Sequence, residues 1–116
     1  MAKYAFLYLD DGVEYQTAPT AEQQQVYADI FKWFETNGSK IVDGGAELQP
    51  THTATTIRKS TGKLTVIDGP FIESKESVGG VSIVELPDRE AAIALAKTWP
   101  GYGIEIREIV PPRPRQ

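Results

Sequence analysis

Residues 3–9 read KYAFLYL, and they are apolar on both alternating faces. Successive side chains of a strand point to opposite sides. Tyr4, Phe6 and Tyr8 therefore face one way, and Ala5, Leu7 and Leu9 face the other. Such a strand has no wet side, so a sheet built around it needs cover on both faces. A chain of 116 residues has room for one core and not two. Asp10-Asp11-Gly12 then ends the strand with turn chemistry.

The later segments say what covers the first face. Thr20 with Gln23 three positions on, preceded by Pro19, reads as a capping box opening a helix. Val26, Ile30, Phe31 and Phe34, with Trp33 alongside, form its apolar stripe, and Asn37-Gly38 offers a left-handed stop. Residues 40–48 read as a strand interrupted at Gly44-Gly45 by a bulge. Residues 54–68 read as a hairpin turning at Thr61-Gly62, and residues 80–86 as a further strand. Pro87-Asp88 starts a second helix with Ala92, Leu95, Ala96 and Trp99 on its buried side, stopped by Pro100-Gly101. Residues 103–110 are the last strand. The order β-α-β-(hairpin)-β-α-β describes a ferredoxin-like α+β layer pair. It forms a single domain over residues 1–110, with 111–116 as a flexible Pro/Arg tail. Two helices cover one sheet face. For the other, the pattern points to a second copy of the same sheet, a homodimer; the alternative is the hairpin folding across it.

Composition narrows the function classes. The net charge is −4 and no basic cluster lies in the folded region, which argues against nucleic acid as a partner. The chain has no cysteine, so disulfide and thiol chemistry are excluded, and a cytoplasmic setting is expected. MAKYAFLYLDDG is too short and too soon acidic for a signal peptide. No apolar run approaches the roughly 18 residues of a membrane span. With no cysteine and one histidine, the usual zinc ligand sets cannot be assembled, and no carboxylate spacing argues for a hard cation. Gly79-Gly80 and Gly44-Gly45 lack phosphate-loop spacing and suit close backbone approach or positive φ; no cofactor is expected.

The chemistry-bearing residues concentrate in DGPFIESKE, residues 68–76. Asp68-Gly69-Pro70 suits a turn with Phe71 anchoring it, yet Asp68 could equally end a strand with its carboxylate in a cavity, as a catalytic general base or ligand acceptor. In an extended segment Glu73 and Lys75 share a face and Glu76 takes the other. They would form either a solvated pair or a polarised ligand-binding site. His52 is the only imidazole, so any His-dependent chemistry must use it; as a loop residue it also suits plain solvation. Tyr4 and Tyr8 suit core packing, and if their face lines a cavity their hydroxyls, Tyr8 above all, could meet a ligand. Arg113 and Arg115 suit a solvated tail.

DGPF at 68–71, Glu73, Lys75, Glu76 and Gly79-Gly80 before an apolar strand, with LQPTHTATTIR at 48–58 upstream, resemble the YCII-related, DGPF-domain family. The likeness runs over residues 3–110. It implies a ferredoxin-like fold pairing into a dimeric α+β barrel. It also implies small-molecule binding in a cavity, since the wider family is associated with a His–Asp active site and a few lyase-like members act on small aromatic substrates. The family's histidine lies in the first helix; AEQQQVYADIFKWFETNG has none, so a mechanism built on that pair does not carry over. Many DGPF-type members have no known function, and some are encoded beside extracytoplasmic-function sigma factors. Two readings stand: a small-molecule-binding protein or enzyme with Asp68, Glu73, Lys75, His52 and Tyr8 at its site, or a non-catalytic dimeric accessory module in which DGPF is a structural clasp.

Overall fold

The computed structural model describes residues 1–11, 20–70 and 76–112. It is a mixed α+β fold. Its strands are β1 (Ala2–Asp10), β2 (Ile41–Glu47), β3 (Thr55–Ser60), β4 (Lys63–Asp68), β5 (Ser77–Leu86) and β6 (Gly103–Glu108). Its helices are α1 (Ala21–Thr36) and α2 (Arg89–Ala96), with short 3-10 turns at Gly38–Lys40 and Thr51–Thr53.

The main sheet has the order β2-β5-β1-β6, and its pairs are all antiparallel. β1 is central because it can afford no wet edge: Phe6 stands opposite Ser82 of β5 on one side and Ile106 of β6 on the other. Both helices pack on the face carrying Tyr4, Phe6 and Tyr8. Trp33 from α1 and Ala92 and Leu95 from α2 join these with Val84 and Leu86 in one buried cluster. Phe6 and Val84 are fully enclosed, each worth about 1.5–3 kcal/mol of transfer free energy as an upper estimate.

α1 starts as its sequence says. Thr20 Oγ1 accepts from Gln23 N at 3.2 Å and Gln23 Oε1 accepts from Thr20 N at 2.8 Å, the two halves of a capping box. Its buried arc differs from the expected stripe. Ile30, Trp33, Phe34 and Asn37 line the core side at i, i+3, i+4 and i+7, while Phe31, one step further round, is 67% exposed. The stop also differs. Asn37 has φ −105°, and it is buried, with its Nδ2 donating to Trp33 O at 2.8 Å. The same carbonyl already accepts from the Asn37 backbone N–H at 3.0 Å, so the side chain adds a second bond there. α2 begins at an Asp88 cap whose Oδ1 accepts from Ala91 N at 2.9 Å.

β5 begins at Ser77, three residues before the expected strand, so Gly79-Gly80 lies inside it. β2 is bulged at the expected place, with its register broken between Ile41 and Asp43 and between Asp43 and Ala46. Gly45 has φ +63°, and a Cβ there would run into the Val81 carbonyl. Its N–H donates to Asp43 Oδ1 at 2.8 Å.

β3 and β4 form a separate two-stranded sheet, turned through Thr61 (φ 46°) and Gly62 (φ 76°). Positive φ at both central residues is the hairpin turn that matches strand twist. The overall extents are 51 × 47 × 18 Å. Eighteen ångströms of Cα thickness accommodates one sheet and one helix layer. Ala5, Leu7 and Leu9 on the face away from the helices are accordingly only half-buried.

Candidate functional site

A cavity of about 800 Å³ opens at the end of the main sheet where β1 finishes and β5 begins. Its floor is aromatic. Tyr8, from the helix-facing side of β1, meets Trp99 at 4.5 Å between ring centroids and Phe34 at 5.6 Å, and Trp33 stands behind them at 5.0 Å from Trp99. The edge-to-face angles of most of these pairs suit the ring quadrupoles. α1 adds Tyr27 and Ile30, the bulged β2 adds Gly44 to Glu47, and Leu48 follows it.

Carboxylates occupy the rim: Asp10, Asp11 and Glu47 line the cavity. Asp10 Oδ1 accepts from Ser77 Oγ at 2.5 Å. The same carboxylate lies over Gly79, where a Cβ would stand 2.8 Å from Asp10 Oδ2. Gly80 serves β2 in the same way, since its Cβ would stand 3.1 Å from Ala46 O. The paired glycines are therefore places of close approach, and neither has positive φ. Among the described lining residues there is no lysine, arginine or histidine.

Tyr8 OH and Ser82 Oγ share a hydrogen bond of 2.5 Å inside the core. Burial pushes the Tyr8 phenol above its ordinary value, and the Ser82 contact partly offsets this. Tyr102 OH donates to Glu76 Oε1 at 3.1 Å, and that carboxylate raises the Tyr102 phenol. Trp33 Nε1 donates to Thr98 Oγ1 at 2.8 Å. Trp99 Nε1 is buried with no hydrogen-bond partner among the described residues.

The residues singled out from sequence do not all meet here. Tyr8 lines the cavity. Asp68 sits on the last rung of the hairpin opposite Thr55, exposed, and is not among the cavity's described lining. His52 lies exposed in the 3-10 turn Thr51–Thr53, whose first residue does line the cavity. Glu73, Lys75 and Phe71 fall outside the described residues, as do Arg113 and Arg115. Gly69 has φ +118°, its N–H donates to Ala54 O at 2.6 Å, and its carbonyl accepts from Thr56 Oγ1 at 2.7 Å. The Asp-Gly-Pro turn is thus fastened to the start of β3 from both sides.

Sequence reasoning missed Asp10, Asp11, Glu47 and Tyr27. The signal present was an acidic pair closing a strand, which also reads as a plain turn. Among the described residues no group of three or more His, Cys, Asp and Glu is placed to hold a metal ion. α1, which carries no histidine, turns Tyr27, Ile30 and Phe34 to the cavity. The arrangement can stack a planar group on the rings and accept hydrogen bonds at the rim.

The YCII-related domain family matches residues 3–113, and the chain belongs to it. An uncharacterized protein of Rhizobium meliloti (strain 1021) is 36% identical over 63 residues, covering 50% of this chain and 51% of the relative. The chain thus spans about half the length of the curated relative it matches. No helix among the described residues is long and apolar enough to cross a membrane.

Proposed function

We propose that this chain binds a small molecule in the cavity at the β1–β5 end of the sheet. The observation that carries the reading is the pairing of an aromatic floor with a carboxylate held in place. Tyr8, Phe34 and Trp99 form the floor, and Asp10 is fixed by Ser77 and given room by Gly79. Apolar walls with a few positioned polar groups are what small-molecule sites share. Tyr8, which lines the cavity, is taken into this site, and the charged run at Glu73 and Lys75 lies two to four positions before Ser77, another lining residue. The strand order β2-β5-β1-β6 with both helices on one face supports a ferredoxin-like layer. The half-buried apolar row Ala5, Leu7, Leu9 supports its pairing, face to face, into a dimeric barrel, and the lack of cysteine supports a cytoplasmic setting.

Ligand binding to the native state alone raises stability, by about 2.7 kcal/mol at a hundred times Kd. Thermal unfolding against a panel of small planar aromatic compounds is therefore expected to show an upward Tm shift. Ala46→Trp, on the exposed lip of β2, fills the cavity without entering the core, and is expected to abolish that shift while leaving the free protein's Tm nearly unchanged. A panel without any shift, or a shift that survives Ala46→Trp, would overturn the reading.

A second reading concerns Asp68 and rests on the two bonds that hold Gly69. In it the DGPF turn is a clasp closing the base of the hairpin, and the carboxylate has no chemical role. Asp68→Asn then lowers hairpin stability and leaves the ligand-induced shift intact; loss of the shift in a folded variant returns Asp68 to the site as a base or acceptor.

A further inference from the structure

We propose that the β3–β4 hairpin is an arm that packs on a second copy of this chain, its basic tip seated at the acidic mouth of the other copy's cavity. The inference rests on the pairing reading above and adds to it a definite surface.

The hairpin leaves its apolar side chains uncovered. Ile57 stands opposite Val66 and Lys59 opposite Leu64, so Ile57, Leu64 and Val66 share one face. They are 65%, 59% and 61% exposed. A two-stranded hairpin alone is at best marginally stable in water, and these strands do not join the main sheet. Some other surface must supply the missing contacts.

The arm's own cavity is out of its reach. The arm is rooted at that cavity's mouth, because Leu48, Pro50 and Thr51 line it and Gly69 is bonded to Ala54. Strands of six residues carry the tip about 20 Å from the root. Bringing the tip back would require undoing the hairpin.

Charge selects the partner. The arm carries Arg58, Lys59 and Lys63 toward its tip and one carboxylate, Asp68, at its root, on a chain whose net charge is −4. The cavity rim presents Asp10, Asp11 and Glu47, with no cation among its described residues. A second copy therefore offers a surface of opposite sign to the arm. Two-fold symmetry makes the exchange mutual. Each arm starts at one mouth and ends at the other, so the two mouths stand about one arm length, roughly 20 Å, apart. Each cavity is then closed by lysines from its neighbour.

The absence of cysteine makes the test direct. Lys63→Cys and Glu47→Cys chains, prepared separately, mixed and oxidised, are expected to give a disulfide-linked heterodimer on a non-reducing gel. Either chain alone should give at most a tenth of that yield. Ile57→Ser/Leu64→Ser/Val66→Ser, checked for folding by circular dichroism, is expected to raise the dimer dissociation constant at least tenfold. A monomeric wild-type chain at micromolar concentration overturns this proposal and the pairing reading together. A dimer that neither cross-links nor weakens in the serine variant overturns the arm alone. So does a double variant, Lys63→Cys/Glu47→Cys, that closes a disulfide within one chain. A monomer whose arm binds vesicles of anionic phospholipid would also overturn it, by giving the arm another occupant.

Discussion

At Gly45 the backbone φ is +63° and the Val81 carbonyl occupies the space a side chain would need. The neighbouring Gly44 has open space around it. Gly45→Ala should therefore lose at least about 2 kcal/mol, the left-handed penalty plus the displacement of β2 from β5. Gly44→Ala should be nearly neutral, and urea denaturation of the two separates them. Tyr8 makes a second prediction. Tyr8→Phe strands the buried Ser82 hydroxyl and should cost about 1–3 kcal/mol, most of it recovered in Tyr8→Phe/Ser82→Ala. Tyr8 also bears on alkaline stability. Its phenol is raised by burial in the folded state, so folded protein holds the proton more tightly than unfolded chain does. Its contribution is full below about pH 10, the ordinary tyrosine value, and is lost as pH rises through the folded value. Tyr4, raised by burial and by Glu108, acts in the same sense. The fall in Tm above pH 10 should be shallower in Tyr8→Phe. At this scale the sequence showed which residue types could work but not which ones meet. Tyr8 was legible from strand alternation. Asp10 was not, because its placement depends on Ser77 and Gly79, which are 67 and 69 positions away.

Elements were more legible than sites, since their signals are local. The capping box of α1, the bulge of β2, the Thr61-Gly62 turn and the Asp88 cap all follow from short-range chemistry, and all are present. Thr20→Ala should cost about 1 kcal/mol, measured as a shift in the urea midpoint, because it leaves the Gln23 N–H uncapped. Errors came where tertiary packing chose between local options. Phe31 and Trp33 both fit an apolar helix stripe, and the sheet accepted the arc containing Trp33. The end of α1 closes on a buried Asn37 whose backbone and side-chain N–H groups both donate to Trp33 O, without a left-handed residue. β5 extended through two glycines because β1 and β2 come close enough there to need them.

Across the whole molecule, the described residues supply no layer on the second side of the first strand, and the chain is a slab 18 Å thick. Leu7 stands opposite Val81 on that face, beside Ala5 and Ile83. Under the proposed pairing, Leu7→Lys should halve the mass measured by light scattering while the circular dichroism spectrum is retained. An unchanged mass would place the pairing surface elsewhere. The apolar strand made cover for its second face an expectation already in the sequence, whereas a hairpin standing apart from the main sheet was not expected. Alternating residues in Thr55–Ser60 and Lys63–Asp68 specify a hairpin but not which surface it lies against.

The aromatic floor has an optical consequence. The chain has two tryptophans, and both belong to that one cluster, with ring centroids 5.0 Å apart and planes at 81°. Emission excited at the red edge of the indole band therefore arises from a single spot beside the cavity. Tyrosine light absorbed elsewhere drains toward it, and the coupled indole transitions give that spot a near-ultraviolet dichroism of its own. The protein carries a built-in reporter for the place where a bound molecule would sit, and needs no dye to be read.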